Sequence, residues 1–205
     1  MLGKIIVLAL SATSTLAAVS PVGGSGWKVA NPSFNVQTCE GGRVAGNEFS
    51  LPAKPDGSGG GAGCSNGHPR AERRYANDYS SGKHQFGGQL TINSFAGDRV
   101  SLKQTFNGDD GPFFILGVKR NGDLYSVRDG GKTIAAGAAR AGRTVTVNTV
   151  HDAGGRMYQV YVDGQLKYTA SAPGGSFYDK IGTYTTDSGR GPIDVTWSNI
   201  GFWTE

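Results

Sequence analysis

Only two cysteines, Cys39 and Cys64, and three histidines, His68, His84 and His151, occur in the 205 residues. Scattered as they are, they do not make a zinc site. Long apolar runs are missing too. The apolar stretch Ile5 to Leu10 is too short to span a bilayer, and nothing else in the chain comes closer. No segment keeps a helical period with paired caps. Ala135 to Ala141 has helix-forming composition, but Gly137 and Gly142 interrupt it. No repeat and no second domain show in the sequence. The carboxylates Glu40, Glu48, Glu72 and Asp179 are scattered. Hydrolysis of a glycosidic bond by two carboxylates facing across a cleft therefore ranks lowest among the readings below.

What the chain does have is glycine, 34 of them, with short clusters of aromatic and β-branched residues between turn signals. That composition predicts an all-β fold. Residues 1–17 read as a secretory signal, with Lys4 before the apolar run and Thr15-Leu16-Ala17 as a small-residue cleavage site. Residues 18–205 then form one domain, exported and extracellular. In an oxidising compartment Cys39 and Cys64 are most simply one disulfide; two free thiols are the alternative. The formal charge is +4, and removing Lys4 leaves +3. A modest basic excess does not establish a nucleic-acid binder. In an exported protein it suits an acidic polysaccharide at least as well.

Along the chain, Asn47 to Gly67 is dominated by Gly, Pro, Ser and Asn and reads as a long loop tethered by Cys64. Strands are predicted over Gln85 to Phe95, Asp98 to Phe106, Phe113 to Lys119, Thr144 to His151, Met157 to Val162 and Ile193 to Trp203. A dozen such strands at regular spacing predict two antiparallel sheets in a sandwich or jelly roll. A groove on one sheet suits an extended polymer better than a small metabolite.

Three stretches carry chemistry. If His68 to Tyr75 is extended, Arg70, Glu72 and Arg74 share a face, and His68 falls on the same parity. Glu72 would then hold both guanidiniums, and one fork could grip a carboxylate. Gln104-Thr-Phe106 closes the strand before the turn Asn107-Gly-Asp-Asp-Gly-Pro112. In Phe177 to Tyr184, alternation puts Tyr178, Lys180 and Tyr184 on one side and Phe177 and Ile181 on the other, with Gly182 leaving open space on the polar face. Taken alone, Phe177 to Tyr184 reads more readily as a half-buried strand with a wet polar face, His68 to Tyr75 equally well as a solvated basic strand, and the Gln104 element is a weak signal. His84 and His151 sit near predicted turns and read as ordinary surface residues.

Together, in this order, the three stretches resemble polysaccharide lyase family 7, the alginate lyase 2 group. The related fungal glucuronan lyases of family 20 are similar. Those families show Arg-x-Glu-x-Arg, Gln-Ile-His and Tyr-Phe-Lys-x-Gly-x-Tyr strands on a β-jelly roll. The resemblance runs from about Gly67 to the end, and the Tyr-Lys-Gly-Tyr element is its most specific part. It implies β-elimination on a uronic acid: removal of the proton at C5 and expulsion of the 4-linked sugar. Tyr184 would serve as base and acid. Arg70 and Gln104 would draw off charge from the carboxylate. Arg74, Glu72, Lys180 and Tyr178 would bind substrate, and Lys180 and Arg70 would stabilise a Tyr184 phenolate. Phe106 stands where the family 7 pattern has its histidine, and His68 is the candidate to enter the site in its place. No metal or cofactor is required. The expected partner is an acidic polysaccharide, with neither nucleic acid nor membrane, and the expected state is a monomer. A lectin-like jelly roll that binds without cleaving is the alternative.

Overall fold

The computed structural model describes residues 19–59, 64–186 and 189–205. The expected signal, residues 1–17, lies outside them. Fifteen strands pair into two antiparallel sheets, and the only helix among the described residues is one turn of 3₁₀ at Gly108–Asp110.

The larger sheet runs β13 (Gln165–Ser171), β12 (Met157–Val162), β11 (Thr144–Asp152), β6 (Lys83–Phe95), β15 (Ile193–Thr204), β4 (Glu48–Leu51) and β3 (Arg43–Ala45). The short β1 (Lys28–Ala30) adds to β15. The smaller sheet runs β10 (Thr133–Ala135), β9 (Leu124–Ser126), β8 (Pro112–Lys119), β7 (Arg99–Asn107), β14 (Phe177–Tyr184), β5 (Arg70–Tyr75) and β2 (Phe34–Cys39). Alternation explains the assignment. Along β15, Ile193, Val195 and Trp197 are buried, while Asp194, Thr196 and Ser198 between them are half-exposed. The inward sets of both sheets interleave into one apolar core that includes Phe49, Leu90, Val147, Val160, Ile181 and Trp197.

The stretch read as a loop from Asn47 to Gly67 contains β4. Phe49 and Leu51 point into the core at 0% and 3% exposure, and β4 pairs with β15 at Thr196↔Glu48 and Ile193↔Leu51. Two apolar residues at a spacing of two are enough for an edge strand when a partner is waiting. The disulfide Cys39–Cys64 forms, with its Cα atoms 5.5 Å apart. It ties the end of the loop that follows β4 to the end of β2.

A polar bridge crosses the core. Lys103 Nζ on β7 donates to Asp179 on β14 and to the Tyr158 hydroxyl on β12, each at 2.7 Å, and to Thr105 as well. Thr105 and Asn77 also donate to Asp179, at 2.7 and 2.8 Å. Lys103 and Asp179 are 1% and 4% exposed, so the pair is held by mutual satisfaction rather than by water.

His151 is a correction. It lies on β11, is only 2% exposed, and its Nδ1 is 3.0 Å from the Tyr79 hydroxyl. His151 shares strand parity with the core residues Val145 and Val147, which carries the ring inward between Phe113, Phe177 and Tyr158. Burial holds its imidazole down at about 4. His84 is half-buried and stacks on Tyr79 with ring centroids 3.7 Å apart.

Candidate functional site

Strand register assembles the site on the face of the smaller sheet turned away from the core. Across β14 and β5, Tyr184 lies opposite Arg70, Gly182 opposite Glu72, and Lys180 opposite Arg74. Across β14 and β7, Lys180 lies opposite Gln104 and Tyr178 opposite Phe106. Opposed residues of antiparallel strands share a face, so three distant stretches form one patch.

Glu72 is its hub. Arg70 Nη1 and Gln104 Nε2 both donate to its carboxylate, and Lys180 Nζ lies 3.8 Å away. All four side chains are buried to about the same degree, none above 5% exposed. Burial pushes the Lys180 ammonium below its ordinary value; Arg70 and Arg74 push the same way, and Glu72 opposes them. Lys180 also donates to Gln37 Oε1 at 2.7 Å and stands 4.6 Å from the centre of the Phe106 ring.

Arg74 leaves the arrangement expected for it. It makes a two-pronged pair with Asp78 at 2.9 and 2.6 Å, and its guanidinium covers Tyr178 at 4.2 Å. Four residues further along the chain, Asp78 offers a partly solvated carboxylate, whereas Glu72 is already filled by Arg70 and Gln104. Tyr178 in turn stacks on Phe106, with centroids 4.9 Å apart and planes 11° from parallel.

Arg70, Gln104, Phe106 and Tyr184 line one cavity of about 470 Å³, together with Asn66, Ile115 and Arg128. The Arg70 guanidinium lies over the Tyr184 ring at 4.2 Å. Arg70 Nε is buried and has no hydrogen-bond partner among the described residues. Asn66 Nδ2 donates to the Tyr184 hydroxyl at 2.7 Å. The sequence offered no sign of Asn66, Gln37 or Arg128: Asn66 and Arg128 lie on loops, and Gln37 reaches the site only because β2 pairs with β5 opposite Glu72.

His68 is on the loop before β5, not on the strand. Its ring meets Tyr184 edge-on at 5.9 Å, but it lines a neighbouring hollow rather than the cavity that holds Arg70 and Gln104. Gly182 also departs from expectation. Its φ is +137°, and a Cβ there would lie 2.1 Å from the Ala71 carbonyl oxygen. It is needed for close approach to β5 and for the irregularity in the β14–β7 register between Ile181 and Tyr184, not to open space on the polar face.

No family model matches the chain, and no curated protein does. Solved structures do. An alginate lyase of polysaccharide lyase family 7 superposes with a TM-score of 0.61 at 20% identity, over 81% of this chain and 83% of its own. An alginate lyase from Pseudomonas aeruginosa gives 0.62 at 16% identity, over 80% and 86%. The fold is that of the family 7 alginate lyases. A sialidase also matches, with a TM-score of 0.59 at 14% identity over 82% of this chain but 16% of its own. The scaffold therefore fixes the architecture and leaves the chemistry to the site.

Proposed function

We propose that this chain is an exported polysaccharide lyase that cleaves a uronate-containing polysaccharide, glucuronan- or alginate-like, by β-elimination. The observation that carries the reading is the convergence of a guanidinium, a carboxamide and a phenol, Arg70, Gln104 and Tyr184, on one cavity. The disulfide is consistent with export.

The chemistry needs three things of these residues. Charge must be drawn from the sugar carboxylate as the C5 proton leaves. Arg70 lines the cavity beside Gln104, and the Gln104 amide has a second hydrogen beyond the one given to Glu72. Glu72 acts by holding both donors still, so they need not reorganise as charge develops. The proton must then reach a base. Asn66 donates to the Tyr184 oxygen and Arg70 covers its ring; both favour negative charge on that oxygen. The resulting phenol is placed to protonate the departing 4-oxygen. Positive charge near the position of the absent histidine comes from Lys180, whose ammonium stands over Phe106.

The test is to incubate the protein with glucuronan and alginate and follow the ultraviolet band of an unsaturated uronate. Absorbance should rise with one or both, and Tyr184→Phe should lower the rate roughly 10²- to 10⁴-fold. New reducing ends without that band would mean hydrolysis. Binding without cleavage would leave a lectin-like jelly roll.

A further inference from the structure

Tyr184 stands on a divide. On one side is the cavity with Arg70 and Gln104. On the other is a hollow of about 280 Å³ lined by Lys54, His68, Thr185 and Arg190 among others. Thr186 lines both, so the two adjoin at that residue. Lys54 and Arg190 are exposed, and neither side chain makes a hydrogen bond or ion pair among the described residues. At the far end of the first cavity the exposed Arg128 is in the same condition.

We propose that the hollow beside His68 is a second sugar-acid subsite, in which Lys54 and Arg190 take the carboxylate of a residue next to the one at Tyr184. This rests on the lyase reading above. A polyuronate carries a carboxylate on every residue, and cations waiting on both sides of the phenol match that repeat. A neutral chain would give them nothing to neutralise. The reacting sugar then has bound neighbours on both sides, and the bond broken is internal to the polymer. His68 belongs to this subsite, where its ring forms a wall shared with Tyr184.

The experiment compares the intact protein with Lys54→Ala/Arg190→Ala on size-defined uronate oligomers, from the shortest cleaved upward. Exposed cations contribute modestly, so with both removed kcat/KM on the longer oligomers should fall roughly tenfold. The loss on the shortest should be much smaller, and the variant should respond less to added salt. Equal loss at every length, no loss at all, or release of product only from a chain end overturns the subsite and leaves the lyase reading intact. If neither protein produces unsaturated uronate, retardation in gels containing the polyuronate decides. Retardation that weakens in the variant supports the subsite and removes the lyase reading; equal or absent retardation overturns the subsite as well.

Discussion

The buried Lys103–Asp179 pair gives the sharpest test of how the site is held. The three ammonium hydrogens of Lys103 are all spent, on Asp179, Tyr158 and Thr105. Asp179→Ala removes the only countercharge among the described residues that pairs with an ammonium 1% exposed. Breaking such a pair costs about 3–5 kcal/mol, a large part of the roughly 5–15 kcal/mol that stabilises an ordinary domain. Lys103→Met/Asp179→Leu removes both charges and leaves Tyr158 and Thr105 bonded to each other at 2.8 Å. That double variant should lie within about 1 kcal/mol of the parent, or above it. Burial alone would raise the Asp179 carboxyl, but the Lys103 charge and hydrogen bonds from Lys103, Thr105 and Asn77 hold it below its ordinary value. A depressed carboxylate contributes fully above its unfolded value and loses that contribution as pH falls through the folded one. Urea unfolding of parent, single and double variants measures all of this. An Asp179→Ala cost below about 1 kcal/mol, or a double variant as weak as the single, would refute the reasoning. Because Lys103 and Asp179 adjoin Gln104, Tyr178 and Lys180 in sequence, the same pair fixes the register that faces Gln104 toward Lys180.

Three further outcomes are expected. His151 titrates at about 4 in the folded state against an ordinary 6.5. Stability should thus be complete above the higher value and fall by about 3 kcal/mol on the way down to the lower. His151→Gln should flatten that limb in unfolding curves taken across the range. Gly182→Ala should destabilise by about 3 kcal/mol or more, because its Cβ meets the Ala71 carbonyl in a backbone conformation that L residues avoid; a neutral effect in thermal unfolding would contradict the structure. Cys39→Ser/Cys64→Ser opens a 25-residue separation and should cost about 3 kcal/mol. It should also slow any Tyr184-dependent reaction, since Asn66 lies two residues from Cys64.

The period of two along each strand was enough to put Tyr178 with Lys180, and Arg70 with Glu72 and Arg74, because alternation is a local property of extended backbone. Turn chemistry marked most strand ends for the same reason. Local pattern was silent on partners. Nothing in Arg-Ala-Glu-Arg-Arg says that Glu72 takes Gln104 while Arg74 turns to Asp78, or that Asn66 reaches a phenol 118 residues away. Nor does it say that Lys103 and Asp179, 76 residues apart, neutralise each other beneath the site. Those pairings depend on which strand lies beside which and in what register. Only closure of the two sheets over a common core sets that, and it also drew His151 inside and left His68 on the far side of Tyr184.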